Sequence, residues 1–169
     1  MAATTVTTRL DGDGLRFITS TGSGHTIPTD DAAGDSGPRP MELLLVAQAA
    51  CTAMDVASIL RKARQAFTGY EVRVAGEQRV DRPPHVYERI DVVHFVDGDV
   101  DVEVMRRAVQ LSATRYCSVA GNLASGIAEI RHGFVIRDAS GDAQYREVVV
   151  TGPSESPDAL GQRVTAHTA

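Results

Sequence analysis

The feature that most constrains the fold is a long segment, residues 41–66, that contains neither glycine nor proline and consists largely of strong helix formers. As an α-helix it would be about 39 Å long. Pro40 suits the first helical turn, and Glu42 in that turn complements the helix dipole, as do the basic residues at the opposite end. We therefore predict one long helix over residues 41–66, ended by Gly69.

This helix is apolar almost all round between residues 43 and 60, which is typical of a helix covered on most sides. Gln48 and Asp55 interrupt the apolar run, and a carboxylate in the middle of a bilayer would cost roughly 3 kcal/mol. We therefore predict a buried helix of a soluble protein and no membrane partner. Five side chains at helical spacing form a polar stripe that would either line a pocket or face solvent: Gln48, Cys51, Thr52, Asp55 and Ser58.

Shorter elements precede and follow the long helix. In chain order they are strands at residues 4–10, 15–19 and 25–27, the long helix, strands at residues 70–80 and 86–96, a helix at residues 102–116, and a strand at residues 127–136. An Asp-Gly-Asp-Gly turn joins the first two strands, and the pair after the long helix is predicted to be an antiparallel hairpin. Asp101 is the predicted cap of the second helix, which ends or bends at Cys117. His94 and His132 are expected on solvent-facing sides of their strands.

Composition limits the classes of function. The chain has 169 residues, a formal net charge of −5 and a pI near 5.5, which argues against nucleic acid as the main partner. Two cysteines are too few for a disulfide framework, and the first residues lack the pattern of a secretory signal. We therefore expect a cytoplasmic protein whose thiols are reactive or structural. The histidines show no metal-site spacing, and we predict neither a metal nor a cofactor.

Two motifs 66 positions apart carry a specific resemblance. The first is Pro-Met-Glu-Leu-Leu-Leu at residues 40–45, followed by Ala-Ala-Cys ending at Cys51, and the second is Leu-Ser-Ala-Thr-Arg-Tyr-Cys-Ser-Val at residues 111–119. With the order of elements, they make residues 5–137 resemble the OsmC/Ohr family. The resemblance implies an α+β fold, with antiparallel sheets packed on a long central helix and a second helix, in an intertwined homodimer.

The resemblance also implies a division of the chain into an OsmC-like domain, residues 1–138, and a C-terminal extension, residues 139–169. The extension is rich in Ser, Gly, Pro and Thr and has few apolar residues. We predict that it contains one strand, at residues 145–150, followed by a disordered end.

The activity that the resemblance implies is thiol-dependent reduction of organic and inorganic hydroperoxides in oxidative-stress defence. Cys51 would be the peroxidatic cysteine and Cys117 the resolving cysteine, and the partners would be a hydroperoxide substrate and a dithiol reductant. The chemistry requires that a sulfenic acid on the first sulfur condense with the second thiol. The two residues must then lie with Cα atoms less than about 7 Å apart.

Two further residues are implied by the resemblance, because better-known peroxidase branches pair the cysteine with an arginine and a glutamate. That glutamate directly follows the proline at the start of the long helix, whereas Glu42 comes one position later. Glu42 would lie about 13 Å along the axis from Cys51 and on the opposite face, so that it would serve a site only from the partner subunit. Its alternative role is to favour the helix N-terminus. Among Arg9, Arg16 and Arg39, the last is the first choice for the arginine.

A second hypothesis is a non-catalytic OsmC-fold dimer that binds a small apolar ligand or acts as a stress-associated protein. The shifted position of Glu42 favours it, and so does Asp55, whose carboxylate one turn beyond Cys51 disfavours a thiolate nearby. The separation of the two sulfurs distinguishes the hypotheses, because only a close pair supports the catalytic cycle.

Overall fold

The chain is divided between two units, residues 1–44 and residues 45–169. The computed structural model describes residues 3–125, 129–137, 143–153 and 162–166. The described part contains three α-helices, a π-helical turn and two β-sheets, which confirms the predicted α+β class.

The first unit contains an antiparallel sheet of three strands: β1 (Val6–Leu10), β2 (Phe17–Thr21) and β3 (Thr26–Thr29). Gly12, in the turn after β1, has a φ of 92°, which glycine adopts without steric cost. Asp11 and Arg16 form an ion pair across this turn. The predicted hairpin and the third strand are confirmed.

The long helix, α1 (Pro40–Lys62), ends earlier than predicted. Arg64 has a φ of 57°, the left-handed conformation, and the N–H of Gln65 donates a hydrogen bond of 3.0 Å to the carbonyl of Leu60. This is the Schellman arrangement, which normally uses glycine in place of Arg64. The last helical hydrogen bond runs from the N–H of Ala63 to the carbonyl of Ile59, at 2.9 Å, and α1 ends at Lys62 rather than continuing to residue 66.

The second unit contains a sheet with the strand order β4-β5-β6-β7-β8. The strands are β4 (Ala66–Gln78), β5 (Tyr87–Asp99), β6 (Glu129–Arg137), β7 (Ala143–Pro153) and β8 (Gln162–Ala166). The antiparallel pairing of β4 with β5 confirms the predicted hairpin. β5 and β6 run parallel, a pairing that the sequence did not predict.

Gly69 lies inside β4 and does not end the helix. It sits at an irregularity in the pairing of β4 with β5, between Phe67 and Gly69. A Cβ atom at Gly69 would lie 2.4 Å from a carboxylate oxygen of Asp97 on β5, so any larger residue here would have to displace the Asp97 side chain.

Helices make the crossover from β5 to β6 that a parallel pair requires. They are α2 (Val102–Leu111), a π-helical turn (Ser112–Tyr116) and α3 (Ser118–Ala124). The Asp101 side chain accepts a hydrogen bond of 2.9 Å from the N–H of Val104, which confirms the predicted cap. Cys117 lies between the π-helical turn and α3, where the sequence predicted an end or bend.

The core of the second unit lies between the helices and the sheet. On α1 every fourth residue is buried: Gln48, Thr52, Val56 and Leu60. The last two belong to an apolar cluster that includes Val96, Met105 and Phe134. The first two are polar, so α1 changes along its length from a polar to an apolar buried face.

By length and composition alone, α1 could cross a membrane, since its mean hydropathy reaches 1.8. The core helix of a soluble protein passes the same test. Val56 and Leu60 pack against the apolar cluster, but only 22% of the apolar window is buried in the structure. The prediction of a helix covered on most sides is therefore wrong for the single chain.

The C-terminal part adds β7 and β8 to the sheet. β7 includes the strand predicted at residues 145–150, whereas β8 was not predicted. The predicted boundary between residues 138 and 139 lies outside the described residues.

Candidate functional site

The polar stripe of α1 faces inward. Gln48 and Thr52 are fully buried and the other three members are half-buried. On the outer side the apolar Val46 and Met54 are 56% and 68% exposed. The interpretation of the stripe as a solvent face is therefore wrong, and the helix presents its polar side to the protein interior.

Cys51 from α1 and Cys117 from the crossover meet at this polar side. Their sulfur atoms and a carboxylate oxygen of Asp55 all lie within 4.8 Å of one another. Both thiols are free, with Cys51 half-buried and Cys117 buried. The structure thus brings together the two cysteines singled out in the sequence and adds Asp55, one helical turn after Cys51, to the same cluster.

Local hydrogen bonds fix the position of Cys117. Its N–H donates a hydrogen bond of 2.9 Å to the carbonyl of Ser112, which closes the π-helical turn. Its sulfur accepts a hydrogen bond from the N–H of Ala120 at 3.4 Å, so the thiol occupies the capping place at the start of α3. The sulfur is therefore held at a helix terminus and directed toward α1.

The electrostatic surroundings of the two thiols are acidic. Burial raises the pKa of Cys117 to about 12, and the neighbouring Cys51 and Asp55 act in the same direction. The ion pairs of the described residues do not involve Asp55. Its carboxylate instead accepts a hydrogen bond of 2.9 Å from the Ser112 hydroxyl. Cys117 is consequently a neutral thiol near pH 7.

A hydrogen-bonded chain runs from Asp55 through the core. The hydroxyl of Ser112 lies 2.9 Å from that of Thr52, the Thr52 oxygen lies 3.4 Å from Nε2 of His94, and Nδ1 of His94 lies 2.6 Å from the Tyr70 hydroxyl. These four side chains connect the carboxylate on α1 with β5 and β4.

The donor directions in this chain follow from the proton count. Because Ser112 gives its one proton to Asp55, it must accept from Thr52, and Thr52 must then accept from Nε2–H of His94. A neutral imidazole has one N–H, so Nδ1 accepts from the Tyr70 hydroxyl. Every donor therefore points toward the carboxylate.

The two strand histidines are buried, so the expectation that they face solvent is wrong. His94 and His132 are both 0% exposed, because they lie on the inner face of β5 and β6 together with Val92 and Val96. Burial lowers the pKa of His94 to about 3 and that of His132 to about 4. Neither ring nitrogen of His132 has a hydrogen-bond partner among the described residues.

Arg39 and Glu42 lie together at the start of α1. The Glu42 carboxylate accepts a hydrogen bond of 2.8 Å from the backbone N–H of Arg39, as in half of a capping box. The guanidinium of Arg39 is also 3.4 Å from this carboxylate and 3.4 Å from that of Asp35. These contacts match the alternative role of Glu42 at the helix N-terminus, and the catalytic roles of Arg39 and Glu42 stay predictions.

Open clefts border the cysteine cluster. One, of about 360 Å³, is lined by Cys117 together with Arg115, Tyr116 and neighbouring residues of α3. Another is lined by Asp55 and by residues of the C-terminal half of α1. Small molecules thus have access to the neighbourhood of both Cys117 and Asp55.

Sequence reasoning missed three members of the hydrogen-bonded chain: Tyr70, His94 and Ser112. A signal existed for His94, which alternates with Val92 and Val96 as a core-facing residue does. Ser112 lies five positions before Cys117 inside the second motif, but only the π-helical turn places its hydroxyl beside α1.

The α+β fold and the two neighbouring free thiols define the class of protein, which is an α+β protein with a dithiol site. The sequence model of the OsmC family, described as "OsmC-like protein", matches residues 33–132. The chain belongs to this family, which confirms the resemblance.

Known relatives are consistent with this assignment. Protein YhfA of Escherichia coli K12 is 39% identical over 125 residues, covering 73% of this chain and 92% of the relative. A hypothetical protein from Aquifex aeolicus VF5 has a similar structure, with a TM-score of 0.73, 28% identity, and coverage of 82% of this chain and 98% of that one. An organic hydroperoxide resistance protein OsmC from Legionella pneumophila shares the fold, with a TM-score of 0.57, 9% identity, and coverage of 79% and 97%.

Proposed function

We propose that this protein reduces organic hydroperoxides, and inorganic ones as well, in oxidative-stress defence, through Cys51 and Cys117. The observation that carries the proposal is the approach of two free cysteines from different helices, with sulfur atoms no more than 4.8 Å apart. Membership of the OsmC-like family and the fold shared with an organic hydroperoxide resistance protein support it.

Cys51 is the attacking residue in this proposal. It is half-buried, whereas Cys117 is buried and protonated near neutral pH. The Cys51 thiolate attacks one oxygen of the hydroperoxide, the O–O bond breaks, and the sulfur becomes a sulfenic acid while an alkoxide leaves. The sulfur is oxidised by two electrons and the peroxide is reduced by two.

Cys117 then resolves the sulfenic acid. Its sulfur attacks that of Cys51, the S–O bond breaks, and water and a disulfide form. The sulfurs must close from their present separation to about 2.05 Å, which side-chain rotation on α1 and at the start of α3 can provide. A dithiol reductant then reduces this disulfide to two thiols and is itself oxidised to a disulfide.

Asp55 is the proton carrier of the proposed cycle. Its carboxylate lies in the cysteine cluster and can accept the proton of the Cys51 thiol and pass it to the leaving alkoxide. The Ser112 hydroxyl, which donates to Asp55, keeps the carboxylate oriented through both transfers. While it holds this proton the Asp55 carboxyl is neutral, so it no longer disfavours the thiolate beside it.

The protein acts as a cytoplasmic homodimer in this proposal, as the resemblance implies. The outer side of α1 supports it, since the apolar Val46 and Met54 are 56% and 68% exposed. An exposed apolar helix face of this kind is a common association surface. In the dimer, Glu42 and Arg39 would serve the site of the partner subunit.

The proposal predicts that Cys51→Ser abolishes turnover of an alkyl hydroperoxide with a dithiol donor, because the remaining thiol, Cys117, is buried and protonated near neutral pH. Cys117→Ser is the matched control. It should still consume one equivalent of peroxide and trap a sulfenic acid that a selective reagent labels, without forming an intramolecular disulfide. Wild-type turnover no faster than that of Cys51→Ser would overturn the proposal.

A further inference from the structure

The cluster of Cys51, Asp55 and Cys117 has the donor set of a metal site. We propose that in the reduced protein these three side chains bind a thiophilic divalent cation, with Zn²⁺ as the expected ion. The inference does not depend on the proposed turnover, and it assigns a second property to the same side chains.

The geometry of the cluster suits zinc. The two sulfurs and a carboxylate oxygen lie within 4.8 Å of one another. Around tetrahedral Zn²⁺, with Zn–S bonds of about 2.3 Å and a Zn–O bond of about 2.1 Å, such atoms are separated by roughly 3.7 Å. Contraction by about an ångström therefore forms the site, which small rotations of three side chains supply.

The cluster is also free of a basic side chain that would compete with a cation, among the described ion pairs. Two thiols and a carboxylate approach one another, and the described ion pairs place no basic group on Asp55. A divalent cation binds the two sulfurs as thiolates, because each thiol releases its proton to solvent as its bond to the metal forms.

The surroundings orient the ligands as in known metal sites. The Ser112 hydroxyl donates to one carboxylate oxygen of Asp55 and leaves the other for the metal. The N–H of Ala120 donates to the sulfur of Cys117, which stabilises a thiolate there. Three protein ligands leave a fourth position for water or an added thiol. The clefts lined by Cys117 and by Asp55 border the cluster and give such molecules a route to it.

The test is a titration of the reduced full-length protein with Zn²⁺ in competition with a chromogenic chelator. We expect one ion per chain, and a loss of affinity of at least about tenfold in Cys51→Ser and in Asp55→Asn. Glu103→Gln is the matched control: this exposed carboxylate of α2 lies outside the cluster, and its loss should leave the affinity unchanged. Ser112→Ala should weaken binding without abolishing it.

Substitution of Co²⁺ for Zn²⁺ provides a second readout on the unaltered chain, so the test holds even where a variant fails to fold. Thiolate-to-cobalt charge-transfer bands and intense visible bands would indicate a tetrahedral site with two sulfur ligands. The inference is overturned if these bands are absent, or if Asp55→Asn binds as tightly as the control. Hydroperoxide turnover of zinc-free protein is measured separately, so the failure of one proposal leaves the other standing.

Discussion

At the scale of single residues, His94 and His132 place titratable groups in the middle of a core. The two side chains differ in their surroundings, since His94 has partners on both ring nitrogens while His132 has none among the described residues. In both, burial lowers the pKa below the ordinary value of 6.5, so the folded protein holds them neutral. The unfolded chain would protonate them below that pH.

The lowered pKa values predict acid lability. As the pH falls below about 6.5, unfolding takes up protons on both histidines, so the free energy of unfolding decreases. The contribution of His132 levels off near pH 4, whereas that of His94 continues to about pH 3. In His132→Leu the decrease in the free energy of unfolding should be smaller by on the order of 3 kcal/mol. Urea unfolding midpoints between pH 7.5 and pH 4 measure this decrease. His25→Gln, in an exposed turn, is the control, and equal pH slopes in the two variants would contradict the prediction.

At the scale of elements, α1 shows how a helix end is decided by one residue. The helix stops where Arg64 turns left-handed and Gln65 bonds back to Leu60. Glycine is the residue that this position favours, and an L side chain there costs about 1–2 kcal/mol. The chain tolerates the cost because β4 must begin two residues later, at Ala66.

Arg64→Gly should therefore stabilise the protein. The relief of the left-handed strain exceeds the extra entropy of glycine in the unfolded chain, for a net gain of about 0.5 kcal/mol. Arg61→Gly, three residues earlier and inside α1, is the matched control and should destabilise by about 1 kcal/mol. Thermal unfolding of both variants shows whether each substitution raises or lowers the melting temperature. A lower melting temperature for Arg64→Gly than for the wild type would refute the argument.

The elements that local patterns define were predicted from the sequence. Residues 41–66 without glycine or proline defined the long helix, and alternation defined the β4–β5 hairpin. The cap at Asp101 and the break at Cys117 also followed from residue type and position. These features depend on interactions between residues close in the chain.

The features that sequence reasoning missed depend on distant contacts. The parallel pairing of β5 with β6 is a property of the crossover, and the hydrogen bond between Ser112 and Thr52 joins residues 60 positions apart. The polar stripe on α1 was visible, but its inward direction depends on His94 in the sheet. The cysteine pairing came from the family resemblance and not from the local pattern.

At the scale of the whole molecule, the proposed homodimer gives the outer side of α1 a partner. Val46 and Met54 are apolar and exposed on the side opposite the buried Gln48 and Thr52. A helix with polar residues inside and apolar residues outside buries its apolar surface only when a second molecule covers it.

Met54→Glu should accordingly weaken or abolish self-association, because it places a charge in the centre of the proposed interface. Val80→Glu is the matched control: this valine, 86% exposed and located between β4 and β5, lies away from α1 in the chain. Sedimentation velocity at several concentrations distinguishes dimer from monomer. A wild-type protein that remains monomeric throughout would contradict the proposed assembly.

The meeting of Cys51 with Cys117 has a consequence for the unfolded chain. A bond between the two sulfurs would close a ring of about 66 residues that contains the β4–β5 hairpin and α2. Closure of such a ring lowers the entropy of the unfolded ensemble enough to raise the free energy of unfolding by about 4 kcal/mol, if the folded geometry carries no strain. Oxidation would then make the molecule harder to unfold and reduction would loosen it, so that resistance to denaturation would follow the redox state of the cell.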